Sequence, residues 1–222
     1  IGRGEMVMTD TMMATIIGAG ATLLTAMVTL VVNSLIEKHK WRMEVKQKKY
    51  EVKREKLNDI YIKLVDIVNQ YPNVSPNDVL QCVEYPPNYE MEWFDGVLMS
   101  LDDQLEDYQV QLNDETTDYK RKNAINTQIS NRQYAKKKIS EIRDEYYKAK
   151  DRYKAFCKCD KAVFDLYAGQ DVRNCLVEFE VIIHKVFISG YSVENVDDPR
   201  NNRIDIIRRK IINSIRSDIG TQ

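Results

Sequence analysis

The stretch that decides the fold is residues 118–168, DYKRKNAINTQISNRQYAKKKISEIRDEYYKAKDRYKAFCKCDKAVFDLYA, which contains neither glycine nor proline. Its apolar residues recur three or four positions apart, as they do on one face of an α-helix. The members of this stripe are Ile125, Ile129, Ala135, Ile139, Ile142, Tyr146, Ala149, Tyr153, Phe156, Val163 and Tyr167, and Arg132 and Asp160 interrupt it. A continuous helix of this length would measure roughly 75 Å, so we expect it to kink or to form half of an antiparallel, coiled-coil-like hairpin.

Further helices are predicted on both sides of this stretch. Helical spacing of apolar residues recurs over about 94–113, 171–189 and 199–219, and a Pro-containing linker is expected over 71–93. The segment 171–189 is apolar nearly all round, which indicates a central, buried helix. Asp198 and Pro199 have the residue types of an N-cap and a first helical turn. Residues 94–222 are therefore expected to complete an all-α bundle.

Charge is arranged in blocks, although the net charge is only −1. Residues 64–119 contain thirteen Asp or Glu and no Lys or Arg, whereas residues 120–161 contain fourteen Lys or Arg and five acidic residues. Opposite blocks of this kind match on neighbouring antiparallel helices. We therefore expect the acidic helix over 94–113 to lie beside the basic one.

An uncharged apolar segment lies near the N-terminus. Residues 11–32, TMMATIIGAGATLLTAMVTLVV, contain no charged side chain and would extend about 33 Å as a helix, enough to cross a hydrocarbon core of roughly 30 Å. A cleaved signal peptide would have a shorter apolar run and a basic start, and a buried core helix would be shorter and have a polar face. The sequence therefore predicts a single transmembrane helix over 11–33.

The orientation of this helix follows from its flanks. Only Arg3 precedes it, whereas residues 37–56 contain nine Lys or Arg and four Glu. Because positively charged flanks stay in the cytoplasm, we expect a short tail over 1–10 outside and the C-terminal domain in the cytoplasm. The first five residues of that tail are not native if translation begins at Met6 or Met8. Localisation in the cell membrane, as a single-pass protein, is the resulting prediction.

Small residues recur every four positions along the predicted span. They form two adjacent rows, Ala14, Gly18, Thr22 and Ala26 beside Ala21, Thr25 and Thr29. Small residues let helices approach closely in lipid, so this face predicts self-association or packing on a partner helix. Such residues are also ordinary in spanning helices, and that alternative stays open.

A juxtamembrane stalk is expected over 34–70, because nothing in that segment breaks a helix. Lys38, Lys40 and Arg42 lie just beyond the predicted span, where basic side chains contact anionic headgroups. Apolar residues spaced by seven continue from Met43 to Tyr71, but only the distal half has a complete apolar stripe. We expect a partly solvated stalk followed by a segment docked on the bundle.

No pattern in the sequence indicates catalysis or a cofactor. Only His39 and His184 are present, and neither lies near a nucleophile motif, while no phosphate-binding loop occurs. Cys157 and Cys159 are too close together for a usual zinc or redox motif. His184 on an apolar helix is expected to be a core residue. We predict no catalytic residue, no cofactor and no metal.

One linker is richer in aromatic residues than the rest of the chain. Residues 85–96 read YPPNYEMEWFDG, and Tyr85, Tyr89, Trp93 and Phe94 are candidates for docking an unidentified protein partner, or else they cap the bundle. The pI of 6.2 and the position of most tyrosines of the basic block on the apolar stripe argue against nucleic-acid binding.

The leading functional hypothesis is a non-enzymatic, single-pass membrane scaffold or adaptor that self-associates as a homo-oligomer and binds a cytoplasmic protein. Two alternatives stay open. One is a membrane-acting effector or sensor that oligomerises through its transmembrane helix. The other is an enzyme with an unrecognised site.

Overall fold

The computed structural model describes residues 10–195 and 198–220, and it describes side chains for residues 27–194 and 201–220. The described part of the chain contains seven helices and one two-stranded sheet, which confirms the predicted all-α class. The elements are α1 Asp10–Gln70, α2 Pro76–Leu80, α3 Phe94–Asn113, α4 Tyr119–Cys159, α5 Lys161–Tyr167, α6 Gln170–Phe187, β1 Glu194–Asn195, β2 Asp198–Asn202 and α7 Arg203–Asp218. The chain divides into two units, Ile1–Lys53 and Arg54–Gln222.

The first unit contains the N-terminal part of α1. Nearly all of its described side chains, from residue 27 onward, are exposed. Among the described residues, no helix has a stretch that is both long and apolar enough to cross a membrane. The transmembrane helix predicted over 11–33 is thus not supported here, and the side chains of its residues 11–26 lie outside the described ones.

The second unit is a helical bundle with one core. The distal end of α1 contributes Leu57, Leu64 and Tyr71, which are buried, whereas Met43 and Tyr50 at the same seven-residue spacing in the first unit are exposed. The stripe predicted on α4 lies largely in this core, with Ala135, Ile139 and Ala149 fully buried. Burial of these apolar side chains supplies the main stabilising free energy of the bundle.

α3 and α4 lie side by side and run antiparallel, as the charge blocks predict. Lys136 on α4 pairs with Asp102 on α3, and about two turns farther along α4, Arg143 pairs with Asp95 at 2.8 Å. The buried face of α3 consists of Phe94, Val97 and Leu101. The ion pairs are largely solvent-exposed and select the register of the hairpin more than they stabilise it.

The long helix predicted over 118–168 is two helices. Asp160 ends α4 with φ −112°, outside the usual helical range, and its carboxylate accepts a hydrogen bond from Lys63 at 3.1 Å. Phe164 of α5 lies in the core, where it contacts Phe156 and Tyr61 edge-on at centroid distances of 5.8 and 6.3 Å. Both α4 and α5 thus contribute aromatic rings to the core.

The N-terminus of the last helix lies later than the sequence predicts. Asp198 and Pro199 belong to β2, and the N-cap is Asn202, whose side-chain oxygen accepts from the backbone N–H groups of Ile204 and Asp205 at 2.9 and 3.2 Å. Asn is as good an N-cap as Asp, so residue type alone could not separate the two sites.

α7 also caps the end of α1 within the second unit. The Arg208 guanidinium donates to the carbonyl oxygens of Val68 at 3.0 Å and of Tyr71. The last carbonyls of a helix have no partner in their own helix and carry partial negative charge, so a cation there is stabilising. Arg208 therefore fixes the point where the chain leaves α1 and presents Tyr71 to the bundle.

Candidate functional site

An open cleft of about 370 Å³ lies in the bundle, and we call it the tyrosine cleft. Tyr71 lines it from the end of α1, and Glu92 and Ile188 line it from connecting segments. The remaining lining residues are Tyr146, Lys150, Tyr153 and Lys154 of α4 and Phe179, Glu180, Ile183 and His184 of α6. Mostly apolar clefts with a few converging polar groups are the usual form of small-molecule sites.

Helical spacing explains how α4 and α6 supply these groups. Tyr146, Lys150, Tyr153 and Lys154 are three or four residues apart and share one face of α4, and Phe179, Ile183, Glu180 and His184 do the same on α6. Phe179 and Ile183 are buried at the base, whereas Glu180 and His184 are exposed at the rim. The cleft thus has an apolar base and a polar rim.

A left-handed backbone segment places Glu92. Met91 and Glu92 have φ values of 54° and 59°, in a region that residues other than glycine rarely adopt. The segment is held by backbone hydrogen bonds from Met91 N to Ile188 O at 2.7 Å and from Glu92 N to Phe187 O at 3.2 Å. Two consecutive strained residues cost free energy, and such strain concentrates at functional sites.

The Glu92 carboxylate accepts two hydrogen bonds on the same oxygen. Its Oε1 accepts from the Tyr146 hydroxyl at 2.6 Å and from Lys150 Nζ. Burial raises the pKa of Glu92, but the hydrogen bonds from Lys150 and Tyr146 outweigh it, so the pKa lies below the usual 4.5. Glu92 is therefore ionised at neutral pH.

Tyr71 lies at the centre of the aromatic base and is only 5% exposed. Its ring meets those of Phe179 and Tyr146 at centroid distances of 5.4 and 6.0 Å. Burial raises the pKa of its hydroxyl, with smaller contributions from Cys157, Glu180 and Glu92, so the hydroxyl stays protonated. Among the described residues we find no hydrogen-bond partner for this hydroxyl.

Tyr153 and Glu180 form a second tyrosine–carboxylate pair across the cleft. The Tyr153 hydroxyl donates to Glu180 Oε1. Burial, then that hydrogen bond, raises the pKa of Tyr153. Both carboxylates of the cleft are thus held by tyrosine hydroxyls, which fixes their positions.

The four predicted partner-docking residues fall into two classes. Tyr85 and Trp93 are 79% and 62% exposed. Tyr89 and Phe94 are buried, and the Tyr89 hydroxyl donates to the Phe187 carbonyl oxygen at 2.9 Å. The buried pair packs the linker on the bundle, and the exposed pair is accessible to other molecules.

The predicted membrane-contacting residues lie in the first unit. Ala14, Gly18, Ala21, Thr22, Thr25 and Ala26 have side chains outside the described residues. Thr29 is exposed, as are Lys38, Lys40 and Arg42.

Sequence reasoning did not find the tyrosine cleft. Tyr146 and Tyr153 were predicted as stripe residues, and nothing in the sequence separates a tyrosine that fills a core from one that lines a cleft. The prediction of His184 as a core residue was wrong, because His184 is exposed at the rim. α6 is likewise not buried all round, since Val177 and Val181 are 58% and 47% exposed.

Metal-ligating side chains do not converge in the described part of the chain, where no group of three or more His, Cys, Asp or Glu could hold a metal ion. Cys82, Cys157 and Cys159 are exposed free thiols, and Cys175 is buried.

The chain matches no known protein family, no curated protein and no solved structure.

Proposed function

We propose that this chain is a membrane-anchored, non-enzymatic scaffold or adaptor. In this proposal residues 11–33 span the membrane, residues 1–10 lie outside, and the bundle over 54–220 lies in the cytoplasm. The proposal rests on the uncharged sequence 11–32 and on the basic residues that follow it.

The main support for the membrane anchor is that the C-terminal part of that apolar segment is exposed. Met27, Val28, Leu30 and Val31 are each more than half exposed on α1. A contiguous exposed apolar surface favours contact with a membrane or another protein, since leaving it in water is costly. Lys38, Lys40 and Arg42 then lie where anionic headgroups would attract them.

The chemistry of the tyrosine cleft favours binding over catalysis. A general base or acid works best with a pKa near the operating pH. The lowered pKa of Glu92 and the raised pKa values of Tyr71, Tyr146 and Tyr153 move these groups away from neutrality instead. The cleft therefore offers fixed donors and acceptors, as a binding protein does.

Partner binding by the bundle is supported by the aromatic linker. Tyr85 and Trp93 expose large aromatic surfaces, and such residues are enriched in interaction hot spots. Replacing both by alanine should weaken capture of a cytoplasmic partner without unfolding the bundle, since neither belongs to the core.

The mass of the full chain in detergent, measured by light scattering, tests self-association. We expect a defined oligomer that falls to monomer in Gly18→Leu and after removal of residues 1–36, because bulk at Gly18 blocks close helix approach. Met27→Leu is the matched control and should keep the oligomer, since Met27 is nine positions from Gly18 and so lies on the opposite side of the helix from the small-residue face. A monomeric full chain would contradict self-association.

The sensor alternative is favoured by the tyrosine cleft itself. A ligand site in the bundle, joined by one helix to a segment that oligomerises, would suit a protein that responds to a small molecule. The same Gly18→Leu variant separates the two roles: a sensor should lose its response, whereas an adaptor that needs only a tether should keep its activity.

A further inference from the structure

We propose that the tyrosine cleft binds a small, uncharged aromatic molecule that carries a hydrogen-bond acceptor such as a carbonyl oxygen. This goes beyond the scaffold role and does not depend on membrane anchoring.

The size and lining of the cleft indicate an aromatic ligand. A volume of about 370 Å³ lies at the small end of the range for ligand sites, roughly 300–1,000 Å³. Its base is formed by Tyr71, Phe179, Tyr146 and Ile183, each at least nine-tenths buried. A flat ring stacked on or set edge-on against these side chains would gain both apolar burial and aromatic contact.

The balance of charge indicates an uncharged ligand. Two carboxylates, Glu92 and Glu180, face two ammonium groups, Lys150 and Lys154, and His184 lies at the exposed rim. Glu92 is paired with Lys150, Glu180 accepts from Tyr153, and Lys154 lies 3.4 Å from Asp151. A charged ligand would lose its hydration on entering the cleft. Because attraction and repulsion there are nearly equal, its charge would add little favourable binding free energy in return.

The Tyr71 hydroxyl indicates that the ligand carries a hydrogen-bond acceptor. It belongs to a side chain that is nineteen-twentieths buried, it lines the cleft, and it lacks a hydrogen-bond partner among the described residues. Among the described residues, Asp78 is the one whose buried side-chain oxygen lacks a partner, so the Tyr71 oxygen is open to the cleft and can donate its proton to an acceptor that enters it. A neutral oxygen suits this position better than an anion, because Glu92 and Glu180 also face Tyr71.

The strained segment at Met91 and Glu92 makes this wall of the cleft rigid. Glu92 is held by backbone bonds to the end of α6 and by side-chain bonds to α4. Because this wall is already fixed before binding, less conformational entropy is lost when a ligand binds.

Three probes with the same ring separate the ligand classes: naphthaleneacetamide, naphthaleneacetate and naphthylmethylamine. Each is titrated against the full chain in a mild detergent, which keeps the chain in solution whether or not it enters a membrane. Binding is followed by saturation-transfer NMR, with the signal of detergent alone subtracted. We expect the neutral amide to bind at least fivefold more tightly than either charged probe. Absence of binding by all three, or tighter binding of a charged probe, would overturn the proposal.

Tyr71→Phe tests the acceptor, because it removes only the hydroxyl. Since that hydroxyl has no protein partner, the urea-unfolding midpoint should not fall, whereas amide affinity should drop about threefold to tenfold, the usual effect of one hydrogen bond. Tyr134→Phe, the same change at an exposed α4 residue outside the cleft, should leave affinity unchanged. Equal loss in both variants, or none in Tyr71→Phe, would refute the role of Tyr71.

Ile183→Trp fills the base of the cleft and should abolish amide binding. The variant is compared with wild type only where circular dichroism shows the same helix content. Undiminished binding in a folded Ile183→Trp protein would place the probe elsewhere and overturn the assignment.

Discussion

Arg132 donates a hydrogen bond from Nε to Gln104 Oε1 at 2.8 Å, inside the bundle, where the residue is only 1% exposed. Its other described partners are Gln128 and the carbonyl oxygen of Glu84, and it stacks over the Tyr108 ring at 4.4 Å. None of these partners is a carboxylate. Arg132 thus ties the linker, α3 and α4 together through neutral acceptors.

Arg132→Lys should therefore destabilise the bundle by about 2–4 kcal/mol, because lysine keeps the buried charge but cannot reach three acceptors at once. Arg132→Met should cost less, since it removes the charge together with the hydrogen bonds. Urea unfolding of both variants measures the difference. A lysine variant as stable as wild type, or more stable than the methionine variant, would contradict this account of Arg132.

Arg132 also shows what the sequence could not supply. The spacing of apolar residues predicts the buried stripe of α4, in which Arg132 is an interruption. The acceptors that let an arginine remain in the core come from α3 and the linker, and their approach is a property of the tertiary fold. Long periodic helices are predictable because their signal is local, whereas the tyrosine cleft joins residues from 71 to 188.

The pairing of α3 with α4 was predictable from the charge blocks, although it is a tertiary contact. Complementary charge over many residues does not depend on any single contact. The sequence therefore predicts that α3 and α4 pair, although it does not predict the individual ion pairs Lys136–Asp102 and Arg143–Asp95. The break at Asp160 and the later N-cap at Asn202 depend on where Phe164 and β2 pack, and residue type did not fix either.

Gly190→Ala should destabilise the bundle by roughly 2–4 kcal/mol. Gly190 has φ +70°, and a Cβ there would lie 2.4 Å from the Tyr89 carbonyl oxygen, a backbone atom that cannot swing away. The strain of a left-handed backbone at alanine and the steric clash would both lower the free energy of unfolding. Gly220→Ala is the matched control, since Gly220 has φ +69° but nothing within 4 Å of the added carbon. If both variants unfold at the same urea concentration, the close approach to Tyr89 is not what requires glycine.

Glu92→Gln should make stability less dependent on pH. The folded-state pKa of Glu92 is lowered, so its ionised form stabilises the fold above the usual 4.5, and this contribution is lost as pH falls through the lower folded pKa. We expect the gap in unfolding free energy between wild type and Glu92→Gln to be largest at neutral pH and to shrink below pH 4.5.

Glu90→Gln, at an exposed position two residues away, serves as the comparison in the same urea titrations. A gap for Glu92→Gln that stays constant with pH, or that matches the Glu90→Gln gap, would show that Tyr146 and Lys150 do not stabilise the ionised carboxylate.

Tyr61→Phe should lower stability by about 1–2 kcal/mol. The Tyr61 hydroxyl donates to Asp218 Oδ2 at 2.5 Å, and the same oxygen accepts from the Gly169 N–H at 3.1 Å. Hydrogen bonds to a charged group contribute more than neutral ones. Thermal unfolding of Tyr61→Phe beside Tyr134→Phe measures the effect. Equal stability of the two variants would mean that the bond to Asp218 contributes nothing measurable.

Alkaline carbonate extraction of cell membranes tests the proposed membrane anchor most directly. The full chain and a chain without residues 11–33 are expressed in parallel and separated into pellet and supernatant. We predict that the full chain stays in the membrane pellet, because alkaline extraction strips proteins held only by charge, and that the shortened chain is released. Release of the full chain into the supernatant would contradict the transmembrane anchor and, with it, the proposed function.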